Sequence, residues 1–111
     1  MNIKRTIKKD VYGVLVTLEE KGKTVGRAYV YVLKNGLHKK PFGYLEDVFV
    51  DEKYRGMGFG TKLTKLAIAE AKKRKCYKII ATSRLGRPKL HKFYGKWGFK
   101  KHGYEFRVDI K

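Results

Sequence analysis

The chain has 111 residues, of which 42% are hydrophobic and 14% aromatic, and it carries a formal net charge of +18. A chain of this length builds one hydrophobic core, so residues 1–111 are expected to form a single domain. No apolar stretch is long enough to span a membrane, the basic opening "MNIKRTIKKD" has no signal-type apolar segment behind it, and Cys76 as the only cysteine excludes an internal disulfide; the expected compartment is the cytoplasm.

Residues 11–18, "VYGVLVTL", read as a strand, and "EEKGK" supplies a turn into a second strand over 24–33, where Tyr29, Tyr31 and Leu33 alternate with Ala28, Val30 and Val32. "KNGLHKKP" has Asn-Gly loop chemistry, and 43–50, "GYLEDVFV", form a third strand. Phe59, Leu63, Leu66, Ala67 and Ala71 then make one stripe of a helix ending near Lys75, whose "KKRK" at 72–75 suits the negative end of the helix dipole. "YKIIAT" at 77–82 reads as a short buried strand. "KLHKFYGKW" at 89–97 reads as a short helix behind Pro88, and "GYEFRVDI" at 103–110 as a closing strand that alternates Tyr104, Phe106, Val108 and Ile110 with charged neighbours. This order predicts an α/β (α+β) class, with a compact mixed sheet whose antiparallel start leads into a β-α-β crossover.

The turn after the third strand is "YRGMGFGTKL". A helix N-terminus presents free N–H groups and partial positive charge, and glycines ahead of it let an anion approach the backbone closely. Glycines serve any tight strand-to-helix turn equally well, so the turn alone does not choose between a phosphate cradle and a structural bend. Neither the P-loop pattern nor G-x-G-x-x-G is satisfied, because Thr61 and Leu63 stand where a third glycine would be needed.

The spacing R-x-x-G-x-G (Arg55, Gly58, Gly60), between "VFV" and an amphipathic helix, resembles the pyrophosphate-binding turn of the GNAT superfamily of N-acetyltransferases. "FYGKWGF" at 93–99 is similar to that superfamily's F/L-Y-x-x-x-G-F segment, and the two motifs stand in the right order. Within the superfamily, "YLEDVFVDEKYRGMGFGTKL" most resembles the corresponding stretch of spermidine/spermine N-acetyltransferases. The likeness covers roughly residues 11–110. It departs in two places: the helices that usually follow the first strand and cover the acceptor site have no room here, and Arg87 stands where an asparagine commonly contacts the cofactor. The first departure implies an open acceptor side or one completed by another chain, as in a homodimer.

The resemblance implies acetyl-CoA as acetyl donor, with its pantetheine paired to the backbone of Phe49 and Val50. Its pyrophosphate would lie on the N–H groups of Met57 to Thr61, a run that takes in Gly58, Phe59 and Gly60, with Gly56 in the turn before it and Arg55 beside it. Arg84, Arg87, Lys89 and Lys92 offer partners for the 3′-phosphate. An amine of pKa near 10.4 must lose a proton before attack, at about 4–5 kcal/mol at pH 7, so a base is useful. Glu46 is the candidate, with Asp47 the alternate; adjacent strand residues face opposite sides, so both reach one site only if a bulge intervenes. Tyr94 would protonate the leaving thiolate, and an N–H near Val48 would polarise the thioester carbonyl. Cys76 reads as a small apolar filler. His38, His91 and His102 are scattered, so no metal is expected.

The acceptor stays open among a polyamine, another small amine and a protein amine. Residues 1–55 hold 12 Lys/Arg against 7 Asp/Glu, and residues 56–111 hold 16 against 3, which favours anionic partners. A second reading from another class is a basic nucleic-acid-binding module, with Lys/Arg interleaved among aromatics over 84–104.

Overall fold

The computed structural model describes residues 1–82, 92 and 94–110. They fall into two compact units, Met1–Ala81 and Thr82–Lys111. In the first, β1 (Tyr12–Glu20) and β2 (Lys23–Leu33) form an antiparallel hairpin. Its two-residue turn holds Lys21 and Gly22 at φ 51° and 77°, the positive pair that matches the right-handed strand twist. β3 (Phe42–Val50) pairs antiparallel with β2, and β4 (Ile79–Ala81) pairs parallel with β3, giving a four-stranded mixed sheet in the order β1-β2-β3-β4.

The crossover between β3 and β4 is α1 (Phe59–Lys73). It packs on one face of the sheet: Leu63, Ala67 and Ala71 are buried with Val25, Ala28, Val30 and Val32 of β2 and Leu45 of β3. Helix and sheet approach closely at Gly26, where a Cβ would sit 3.1 Å from Leu63 Cδ1 and 3.3 Å from the Phe49 carbonyl oxygen. The buried stripe uses Thr64 where the sequence pattern favoured Leu66. Thr64 Oγ1 donates to the Gly60 carbonyl at 2.9 Å, which satisfies the hydroxyl without water, and Leu66 remains exposed.

The helix ends two residues earlier than its lysine run suggested. Lys75 takes φ 63°, its N–H donates to the Lys72 carbonyl at 3.0 Å, and the Cys76 N–H reaches back to the Ala71 carbonyl at 3.0 Å. This is a Schellman cap with a lysine in the left-handed position that glycine usually fills. Lys72 and Lys73 do lie in the last turn, as dipole complementarity requires.

Two expected strands change. Of residues 77–82 only Ile79–Ala81 pair, because β3 offers its parallel register over Gly43–Leu45 alone. Residues 103–110 form no strand, and Tyr104, Phe106, Val108 and Ile110 are exposed. Alternation makes a strand only when a neighbouring edge supplies its hydrogen bonds. Residues 1–10 are likewise exposed and irregular.

In the second unit, Lys92 and Tyr94–Lys96 are helical. Gly98, at φ 88°, donates to the Gly95 carbonyl at 3.1 Å, and the Phe99 N–H donates to the Tyr94 carbonyl at 3.1 Å. The Tyr94 and Phe99 rings meet edge to face at 5.4 Å, supplying the hydrophobic contact of a second Schellman cap. The Y-x-x-x-G-F spacing therefore has a local physical meaning: glycine turns the chain, and the following phenylalanine closes on the tyrosine. Pro88 and the start of the expected helix lie outside the described residues.

Candidate active site

The carboxyl end of β3 is built by a bulge. Arg27 faces Phe49 and Tyr29 faces Glu46, so Asp47 and Val48 together oppose the single residue Ala28. Asp47 absorbs the extra residue at φ 56°, a left-handed conformation that aspartate tolerates better than most side chains. The pleat changes phase there. Leu45 points into the core below, while Glu46 and Phe49 share the opposite face with their partners Tyr29 and Arg27.

Asp47 joins that face as well, because Arg27 Nε donates to its Oδ2 at 2.8 Å. The strand therefore presents Glu46 and Asp47 on one side, the outcome that strict alternation forbids. The Arg27 guanidinium also lies 4.7 Å from the Phe49 ring centroid, and its hydrogen bond to Asp47 raises its already high pKa, fixing it as a cation. Tyr29 and Tyr31 stack beside this group with ring centroids 5.8 Å apart. The Tyr31 phenol is pushed above its ordinary range, first by desolvation and then by the nearby Glu46 carboxylate and Tyr29. It stays protonated at neutral pH and can donate toward a carboxylate. Arg27, Tyr29 and Tyr31 did not emerge from motif reading, since only the register of β2 against β3 brings them to Glu46.

Beyond Leu45, β3 has no strand on its β4 side among the described residues. The Asp51 N–H donates to the Val25 carbonyl at 2.8 Å, which directs residues 49 and 51 toward β2 and, by alternation, Val48 and Val50 toward the open side. The Val50 carbonyl already accepts a hydrogen bond from Arg55 Nε at 2.8 Å. That bond, with the guanidinium 5.5 Å from the Phe49 ring centroid, holds Arg55 at the strand end. Backbone groups of Val48 and Val50 thus face the open edge, while Phe49 contributes its ring and turns its backbone to β2.

A single 3-10 turn, Glu52–Tyr54, carries the chain to the glycines. Gly56 and Gly58 take φ 79° and 83°, and a Cβ on either would meet no heavy atom within 4 Å. What requires glycine here is backbone conformation, and the space over the turn is open. Gly58 is the N-cap of α1 and offers no side-chain cap; no acidic residue stands in the first turn, and the first helical bond is Lys62 N–H to the Gly58 carbonyl at 3.0 Å. The N–H groups of Phe59, Gly60 and Thr61 therefore precede that first bond at a helix end whose positive dipole no acidic side chain of the first turn balances. Met57 is exposed in the turn, and Tyr54 stacks on Phe59 with centroids 6.0 Å apart.

Tyr94 sits in the second unit on the helical turn described above. Arg84, Arg87 and Lys89 lie outside the described residues, as does Phe93, whereas the other Lys, Arg, Tyr, Phe and Trp positions on which a nucleic-acid reading over 84–104 would rest are described. Cys76 is half-buried, and burial pushes its thiol pKa up, as suits a packed side chain. Among the described residues no three His, Cys, Asp or Glu side chains cluster to hold a metal ion, and no helix is long and apolar enough to cross a membrane.

Comparison with known proteins adds to this geometry. Residues 3–99 match the acetyltransferase (GNAT) family. Glucosamine 6-phosphate N-acetyltransferase of Trypanosoma brucei brucei is 38% identical over 68 residues, which is 61% of this chain and 44% of that protein. Human N-alpha-acetyltransferase 30 is 35% identical over 81 residues, 71% of this chain and 22% of that protein. The crystal structure of glucosamine-6-phosphate N-acetyltransferase from Arabidopsis thaliana superposes with a TM-score of 0.79 at 26% identity, over 89% of this chain and 67% of that one. This chain spans less than half the length of the curated relatives that it matches.

Proposed function

Because the chain belongs to the acetyltransferase (GNAT) family, we propose that it transfers an acetyl group from acetyl-CoA to an amine at the carboxyl end of β3. The observation that carries this reading is the uncapped N-terminus of α1, behind two left-handed glycines and beside a strand edge that is unpaired beyond Leu45 among the described residues. Those features fit a pyrophosphate followed by an extended, amide-bearing arm. Acetyl-CoA supplies the activated thioester.

The chain's residues do the rest. Arg55 and the N–H groups from Met57 to Thr61 hold the pyrophosphate, and the Val48 and Val50 backbone groups pair with the arm along the open edge. The Val48 N–H polarises the thioester carbonyl as negative charge develops on its oxygen. Glu46 takes one proton from the acceptor ammonium, directly or through water; the amine nitrogen bonds to the acetyl carbon and the carbon–sulfur bond breaks. Tyr94, assigned by its place in the Y-x-x-x-G-F motif, gives its proton to the departing thiolate, and the second proton shed by the nitrogen restores the phenol. Arg87 is a further contact for the 3′-phosphate, carried by its place in the motif.

The acceptor suited to this surface carries one ammonium and a neutral or anionic remainder. Arg27 neutralises Asp47, which removes one of the carboxylates that could join Glu46, Asp51 and Glu52 in gathering a polyamine against a chain charge of +18. The matched relatives are named for a phosphorylated amino sugar and for protein amino-termini, and both acceptors meet that description. Calorimetric titration with acetyl-CoA, followed by turnover on an amino-sugar phosphate, an N-terminal peptide and spermidine, tests the reading. Acetyl-CoA binding that persists at high salt, with spermidine the poorest acceptor, is expected. Absence of acetyl-CoA binding overturns the whole reading, and preferential turnover of spermidine overturns the acceptor.

A further inference from the structure

The first unit separates charge along the strand direction. Residues 34–40 carry three lysines and residues 72–78 carry four lysines and an arginine, all exposed, with no carboxylate in either segment. Glu70, the acid just before them in α1, is already engaged by Arg74 Nε at 3.3 Å. The two segments meet. The Tyr77 N–H donates to the Pro41 carbonyl at 3.0 Å, the Gly43 N–H donates to the Lys78 carbonyl at 2.9 Å, and the His38 and Tyr77 ring centroids lie 4.7 Å apart. These cations therefore border one patch at the amino end of β3, whereas Glu46, Asp47, Asp51 and Glu52 stand at its carboxyl end.

What lies among the cations narrows the partner. Lys78 Nζ sits 5.4 Å and 5.3 Å from the Phe42 and Tyr77 ring centroids, Tyr77 is 42% exposed, and His38 is exposed beside it. Exposed rings between cations suit the phosphates and unpaired bases of a single strand, whereas a duplex keeps its bases stacked inside. A membrane surface calls for a broad apolar face, and Leu37 is the one aliphatic side chain in these two segments. Position matters as well: α1 has 15 residues at about 1.5 Å each, which sets its lysine end about 22 Å from the glycine turn.

We propose that residues 34–40 and 72–78 form a docking surface for single-stranded nucleic acid, which holds the chain by one end of its sheet and leaves the carboxyl end of β3 to its own ligands. Phosphates pair with the lysines, and a base stacks on His38 with Tyr77 behind it. The surface shares no residue with 84–104. It does not depend on acetyl transfer, and a chain that never binds acetyl-CoA would still bind the strand.

The test uses the full chain and a fluorescein-labelled oligouridine followed by anisotropy. Its binding should weaken with salt at a log–log slope of about −3, the mark of about four phosphate contacts on a single strand. Replacing Lys39, Lys40, Lys72 and Lys78 together by Gln should cost about tenfold or more in affinity and flatten that slope, with far-ultraviolet circular dichroism retained. Removing the same charge at Lys4, Lys8, Lys9 and Lys21 should cost less than about twofold. His38→Ala should weaken the oligouridine about tenfold and leave a duplex of equal length unaffected. Crosslinks from 4-thiouridine to the wild-type chain should fall within 34–40 and 72–78, and they decide the matter if the fourfold variant fails to fold. Saturating acetyl-CoA should leave the affinity unchanged. Absence of binding, a preference for the duplex or for vesicles of phosphatidylcholine and phosphatidylserine, equal losses from the two lysine sets, competition by acetyl-CoA, or crosslinks elsewhere would each overturn the proposal.

Discussion

Glu46 and Asp47 are neighbours in sequence and on one face of the sheet, yet they are prepared for different work. Asp47 is held by Arg27 at 2.8 Å, and Glu46 lies opposite Tyr29 with the protonated Tyr31 near it. Glu46→Gln is therefore expected to lower kcat/KM about a hundredfold or more and to remove the acidic limb of its pH profile, with acetyl-CoA affinity unchanged by calorimetry. An unaltered pH profile would remove Glu46 as base. Tyr94→Phe should slow the chemical step in single-turnover kinetics while the helical turn persists, since the Schellman cap uses the backbone and ring and not the hydroxyl. Substituting Gly58 would confuse two effects, because φ 83° strains any side chain whatever it blocks. Met57→Glu separates them: it places a negative charge in the exposed turn without disturbing a left-handed residue. It should weaken acetyl-CoA binding severalfold with a melting temperature within a degree or two of the wild type; undiminished affinity would mean that the turn is not the cradle.

The two Schellman caps are a natural comparison at the level of elements, since one has glycine and the other lysine in the left-handed position. Lys75→Gly should stabilise the protein by about 1 kcal/mol, and Gly98→Ala should cost its own unit about the same, both readable by urea titration followed at separate probes. Strand and helix existence was legible from periodicity because β2 and α1 each bury one clean face. The bulge was not. Nothing in "LEDVFV" says which residue will slip, and the slip at Asp47 is settled by pairing with β2 and by the salt link to Arg27. Thr64 in place of Leu66 was equally hidden, since its burial depends on a hydrogen bond to the carbonyl four residues back. The alternation of 103–110 was read correctly as a pattern and wrongly as a formed strand, because a pattern does not carry its own edge. The motifs fared differently: R-x-x-G-x-G marked the turn whose backbone the structure leaves uncapped, while Arg27, Tyr29 and Tyr31 needed the register to be seen.

For the molecule as a whole, a charge of +18 should make acceptor choice depend on ionic strength. Raising salt is expected to lower kcat/KM for an anionic amine and raise it for spermidine, converging as screening shortens the reach of the field. Identical salt slopes would show that the field does not reach the acceptor. The uncapped end of α1 has a thermodynamic side too. A helix that leaves its first N–H groups and dipole without a counter-charge is less stable alone than with an anion seated there, so part of the protein's resistance to unfolding is lent by whatever occupies the turn. At a free ligand concentration a hundredfold above Kd the gain is about 2.7 kcal/mol. How long this chain survives heat or proteases in a cell would then rise and fall with the acetyl-CoA supply, and its abundance would report on metabolic state without any dedicated sensor.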